Sequence, residues 1–255
     1  MSEQFPQVTI TDTEVRRLPS SHTGYEYNIY VALPPGYADT EIIYPTLYGL
    51  DPHLTFGMST EIIRLLAFGE ELPQLIYVGI GFSGSDKDIE SYQMKNYVPT
   101  GHLDEPGSGG AEDFLRFIRE DLIPFVGSEY RADPADRCFE GSSLGGIFGL
   151  YALLRHPATF HRYIISSPWM EGADPQALKL ETEYATNHSD LPATVFIGAG
   201  SLEPEFVVTN IQKLEKSLHN RNYPNLQLHT HIFESETHLS VVPYNISRGL
   251  KAVYE

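Results

Sequence analysis

The stretch CFEGSSLGGIFGLYALL, Cys138 to Leu154, decides how this chain reads. Within it, Gly141-Ser142-Ser143-Leu144-Gly145 fits the frame G-x-S-x-G with Ser143 at its centre. The spacing predicts a short strand over 137–140 and an apolar helix over 144–155, with small residues on the helix face that packs. A serine at such a strand-to-helix bend is strained and exposed, so its hydroxyl can attack a carbonyl carbon. The helix that follows points its positive end at the oxyanion that forms. Of the two neighbouring serines, only Ser143 has glycine two places before and two places after it. A tight bend brings those two backbones together, and a side chain at either would clash. Ser142 would need glycine where Glu140 and Leu144 stand.

Outward from this segment, the pattern is one of alternation. Residues 8–17 alternate apolar and polar, a turn follows at 20–24, and 25–33 pairs back, which predicts an antiparallel opening. Apolar strands are then expected over 42–50, 75–81, 162–166, 194–198 and 226–233. Helices are expected over 59–68, 111–129, 207–218 and 241–254. This is an α/β chain with a mostly parallel central sheet, antiparallel N-terminal strands and helices on both faces. Its 255 residues, 41% of them hydrophobic, suit a single domain over 1–255. The segment 82–110 is long, polar and rich in glycine and proline. It reads as a structureless excursion from a strand end, a cap over the site.

A serine hydroxyl needs an adjacent base and a carboxylate to orient that base. In sheets of this kind the order along the chain is serine, acid, histidine. His238, in ESETHLSVVP between the last strand and last helix, meets the requirement, whereas His219, His229 and His231 do not. The acid is expected just after strand 194–198, where Glu203 lies. Glu205 is the alternative, and Asp190 sits at the wrong end of the strand. The two oxyanion donors are expected to be the backbone N–H of Leu144 and, from Asp51-Pro52-His53, that of His53, because Pro52 has none. His229 and His231 alternate on one strand face and read as a solvated surface; no metal site is expected.

The composition excludes several classes. With 17 basic and 34 acidic residues, a net charge of −17 opposes binding to nucleic acid or to an anionic membrane surface. No apolar run is long enough to span a bilayer and MSEQFPQVTI has no leader pattern, so a cytoplasmic location is expected. The single cysteine, Cys138, cannot form an internal disulfide and reads as a buried small residue. Gly79-Ile80-Gly81-Phe82-Ser83-Gly84 fits G-x-G-x-x-G literally, but no helix opens at its third glycine, which argues against a dinucleotide site.

Taken with YPTLYGLDPH (Tyr44 to His53), LPQLIYVGIGF, GSSLGG, GSLE and THLSVVPYNISRGL, the chain resembles the putative-esterase branch of the α/β-hydrolase superfamily, which includes the enterobactin-type trilactone (siderophore) esterases. The resemblance covers nearly the whole chain. It implies an α/β-hydrolase fold and cofactor-independent hydrolysis of a small-molecule ester by a serine with a histidine base. It also implies a pocket bordered by Asp51 and by Trp169 in Ser167-Pro168-Trp169. The chain departs from the family at three places: Pro52 where glycine is usual, Ser142 where histidine is frequent, and Glu140 where a small apolar residue is common. Acyl transfer to an alcohol, thioester cleavage, or a non-catalytic binding role on the same fold are the alternatives. Lys95, Arg64 and Arg116 are the cations considered for an anionic ester.

Overall fold

The strands are β1 (Thr13–Pro19), β2 (Glu26–Ala32), β3 (Tyr44–Leu50), β4 (Ile76–Phe82), β5 (Ala132–Ser142), β6 (Arg162–Ser166), β7 (Ala193–Gly200) and β8 (Leu226–Phe233). They form one sheet in the order β1-β2-β4-β3-β5-β6-β7-β8. β1 and β2 pair antiparallel, β2 joins β4 antiparallel, and every pairing from β4 to β8 is parallel. The parallel strands therefore end on the same side. The computed structural model describes residues 8–84, 88–99, 108–170 and 176–255.

Helices cover both faces. On one, α1 (Pro52–Phe68) and α8 (Val242–Tyr254) pack over Leu47, Tyr77, Cys138, Ile164 and Phe196. On the other lie α2 (Ile89–Tyr97), α3 (Ala111–Arg116), α4 (Ile123–Glu129), α5 (Leu144–Arg155), α6 (Gln176–Asn187) and α7 (Glu205–Arg221). This second layer holds an aromatic core. Phe139 of β5 meets Phe148 of α5, Phe160 and Tyr163, and Tyr27 stacks on Phe117 with ring centroids 4.1 Å apart. Strand alternation explains the division, since Cys138 and Phe139 are consecutive and enter opposite layers.

Several elements differ from the sequence reading. β5 starts at Ala132, not 137, because Ala132 pairs with Tyr44 of β3 ahead of an irregularity in which β5 bulges before Arg137 meets Thr46. α1 starts at Pro52, not 59: proline fills the first helical position, where its missing N–H costs nothing. The expected helix over 111–129 is present, but Phe117–Leu122 adopts a π-helical turn just before Pro124. α6 was not anticipated. Glu181 interrupts its apolar stripe, and it is fully buried only because Arg221 and Ser217 donate hydrogen bonds to it.

The expectation of a structureless 82–110 is corrected as well. α2 lies inside it and buries Tyr92, Asn96 and Tyr97. Lys95 and the polar residues between them hid the helical spacing of those three. The cap expectation also covers 85–87 and 100–107, which lie outside the described residues.

Candidate active site

Two glycines shape the bend after β5. A Cβ on Gly141 would stand 2.5 Å from the Gly145 carbonyl oxygen, and one on Gly145 would stand 3.2 Å from Leu50 Cδ1. Only with both side chains absent can strand and helix close at this angle. Between them Ser143 has φ 56° and ψ −116°, a conformation costing about 1–3 kcal/mol for a residue with a side chain. The neighbouring strand holds it there. The Ser143 N–H donates to the Ser166 carbonyl at 2.9 Å, and the Ser143 carbonyl accepts the N–H groups of Ile147 at 3.1 Å and Trp169 at 3.2 Å.

Glu203 and His238 follow β7 and β8. Their loops meet at Gly200, where a Cβ would stand 2.1 Å from the Glu236 carbonyl oxygen, and the Leu202 N–H donates to that same oxygen at 2.9 Å. The result is a hydrogen bond of 2.6 Å from His238 Nδ1 to Glu203 Oε2. The other carboxylate oxygen, Oε1, accepts the Ser167 hydroxyl at 2.6 Å and the Gly200 N–H at 2.9 Å. Burial alone would raise the Glu203 pKa. The hydrogen bonds from His238, Ser167 and Gly200 outweigh it and hold the carboxyl below its ordinary value. An ionised Glu203 fixes the proton on His238 Nδ1 and leaves Nε2 as the basic nitrogen. Glu205 stays exposed as the first residue of α7.

Trp169 links the two halves. Its N–H binds the Ser143 carbonyl, while its ring stands edge-to-face against His238, centroids 5.3 Å apart, and against Phe206 at 4.9 Å. Ser143 and His238 thus share one end of the sheet. The Ser143 hydroxyl itself has no hydrogen-bond partner among the described residues.

Leu144 is the first residue of α5 and His53 the second of α1, positions whose N–H groups have no acceptor within their helices. The strands before them are neighbours, with Gly49 opposite Glu140. Asp51 sets the entry to α1 in a left-handed conformation, φ 53° and ψ 47°, and accepts a hydrogen bond from the Tyr97 hydroxyl at 3.2 Å. Burial pushes the Asp51 carboxyl up, offset in part by Gln93, His53 and Tyr97.

Sequence reasoning missed Ser167 as a partner of the acid. Its signal was its place directly after β6, where it takes φ 44° and is fully buried. The glycines of the discarded G-x-G-x-x-G motif have a packing role. A Cβ on Gly79 would stand 2.7 Å from Pro52 Cβ, and one on Gly81 2.8 Å from the Tyr30 ring. The β4 glycines therefore make the room that Pro52 occupies. Arg64 is committed to the carbonyls of Thr11 and Leu33, Arg116 faces Asp113 and Glu120, and Lys95 lies over the Tyr25 ring. His229 and His231 are exposed on β8. Cys138 is fully buried, and burial pushes its thiol well up.

Residues 20–240 match the model of the Putative esterase family. The chain belongs to that family. Over 261 aligned residues this esterase is 31% identical to the "Ferri-bacillibactin esterase BesA" of Bacillus subtilis (strain 168), an alignment covering 95% of this chain and 90% of the relative. It is 26% identical to the "Siderophore triacetylfusarinine C esterase" of Aspergillus fumigatus, over 91% of this chain and 90% of that one. Among solved structures, the BES protein from Bacillus cereus superposes with a TM-score of 0.87 at 27% identity, covering 99% of both chains. This esterase therefore has the α/β-hydrolase fold and is a carboxylic ester hydrolase.

Proposed function

We propose that this ester hydrolase cleaves siderophore-type esters through an acyl-enzyme formed on Ser143. The observation that carries the reading is the 2.6 Å hydrogen bond from His238 to the buried Glu203, made at the end of the sheet where the strained Ser143 bend lies. His238 Nε2 takes the hydroxyl proton as Ser143 Oγ bonds to the ester carbonyl carbon. The oxyanion is held by the N–H groups of Leu144 and His53. The C–O bond to the leaving alcohol then breaks, and the imidazolium returns the proton to that oxygen. Water repeats the sequence on the acyl-serine and releases the acid. Glu203 keeps its charge throughout and stabilises the imidazolium. Asp51 and Trp169 border the substrate. The siderophore assignment draws support from the two relatives named for ferri-bacillibactin and triacetylfusarinine C.

A fluorophosphonate probe together with turnover of a short p-nitrophenyl ester and of an iron-loaded trilactone tests this. The wild-type protein becomes labelled at Ser143 and hydrolyses both esters, and Ser143→Ala, still folded, does neither. Undiminished turnover in Ser143→Ala would remove Ser143 from the mechanism. Cleavage of the simple ester without the trilactone would remove the siderophore assignment alone.

A further inference from the structure

Glu140 stands three residues before Ser143 and is only 1% exposed. One of its carboxyl oxygens, Oε2, is buried with no hydrogen-bond partner among the described residues. Opposite it in the sheet is Gly49. The point where a Cβ on Gly49 would stand is 3.0 Å from Glu140 Oε2 and 2.7 Å from the Tyr77 hydroxyl, another buried group without a partner. The glycine leaves room for the two polar tips.

Among the described residues no cation faces a Glu140 carboxylate. The titratable groups around it are Asp51 after β3, Tyr77 on β4 and Cys138 on its own strand. α1 brings the hydroxyls of Thr55 and Ser59 toward Tyr77, and His53 lies exposed beside Asp51. Leu47 on β3, Ile164 on β6 and Ile246 on α8 are apolar neighbours in this layer, and its buried polar groups Ser59 on α1, Ser166 on β6 and Asn245 on α8 are uncharged. An unpaired carboxylate is costly there, and more so opposite a second one. Asp51, for its part, holds the left-handed turn that starts α1, with His53 two residues on.

We propose that Glu140 is a positioning residue for this turn: as an uncharged acid it lets Asp51 hold the conformation that aims the His53 N–H, and on losing its proton it sets a buried negative charge against the half-buried Asp51 and displaces the turn. The proposal rests on the reading of Leu144 and His53 as oxyanion donors. Burial first, and then the charge of Asp51, push the Glu140 carboxyl up to about 8 from its ordinary 4.5. Its ionisation thus falls at the alkaline edge of the working range.

The experiment is a pH series from neutral to alkaline on the full chain, with kcat, KM and the rate of fluorophosphonate labelling read separately. Ser143→Ala supplies the background hydrolysis. In the wild type kcat falls across about pH 8 while KM moves little. The full loss is about 100-fold, the worth of one oxyanion donor. Glu140→Gln keeps the site uncharged and shows no alkaline fall. An alkaline fall of the same size in Glu140→Gln, or a flat wild-type profile, overturns the proposal. Thermal unfolding of the wild type is the second readout, needed if Glu140→Gln does not fold. A carboxyl raised on folding leaves the unfolded chain less protonated, so its contribution to stability declines from pH 4.5 up to about 8 and is then level. The kcat fall coincides with the end of that decline, and a kcat fall without it overturns the proposal. Absence of labelling and of turnover at every pH would instead refute the Ser143 mechanism.

Discussion

Ser167 and Gly200 give Glu203 two of its three hydrogen bonds, and those bonds are what hold a buried carboxylate charged. Removing one of them acts on the histidine only through the acid. Ser167→Ala is expected to lose about 1–3 kcal/mol of stability, the cost of stripping one hydrogen bond from a buried charged group, measured by denaturant unfolding. Its kcat falls while KM is nearly unchanged. Glu203→Gln presents an amide to Nδ1 and permits the wrong tautomer, so kcat is expected to drop by about 1,000- to 10,000-fold with the fold intact. The depressed Glu203 carboxyl also stabilises the fold above its unfolded value, and that share is lost as pH falls through the lower folded value. The unfolding midpoint of Glu203→Gln should accordingly depend less on acid pH than that of the wild type. The glycine frame singles out Ser143 and chain order singles out His238. Glu203 was favoured by its place just after the strand, but Glu205, two residues on, stayed open as the alternative. Only the crossing of the β7 and β8 loops at Gly200 selects the first.

The bend itself depends on close approach between elements. Gly141→Ala drives a Cβ into the Gly145 carbonyl at 2.5 Å, backbone that cannot swing away. Soluble protein from this variant is expected to lose ester turnover, and its Tm drops. Gly149→Ala meets the side chain of Phe139 at 2.6 Å, which can shift in part, so a cost of about 1–3 kcal/mol with activity retained is expected. Comparing turnover per folded molecule in the two variants separates the bend from the packing behind it. The same scale explains the misread elements. Strands buried on both faces announce themselves as apolar runs, so most strands lay within a few residues of their expected places. α2 and α6 did not, because their buried faces include Asn96 and Glu181. Those polar groups tolerate burial only through partners, Tyr92 O for one and Arg221 and Ser217 for the other.

At the scale of the molecule the net charge is −17, Arg64 and Arg116 are engaged in contacts of their own, and Lys95 lies over an aromatic ring. Long-range repulsion should slow an anionic ester and leave a neutral one untouched. Raising ionic strength from low to near physiological is expected to increase kcat/KM for a trianionic iron complex by about threefold to tenfold and to leave that for a neutral p-nitrophenyl ester flat. No helix among the described residues is long and apolar enough to cross a membrane. By itself the sequence determined the α/β architecture and singled out Ser143 and His238 as the candidate nucleophile and base, since these follow from apolar periodicity and local sterics. The tertiary structure alone decided that Glu203 meets His238, that Ser167 supports it, that Pro52 fits against the glycines of β4, and that Glu140 lies buried opposite Gly49. Those outcomes depend on strand register and on loops meeting from distant parts of the chain, and such distances are not written in neighbouring residues.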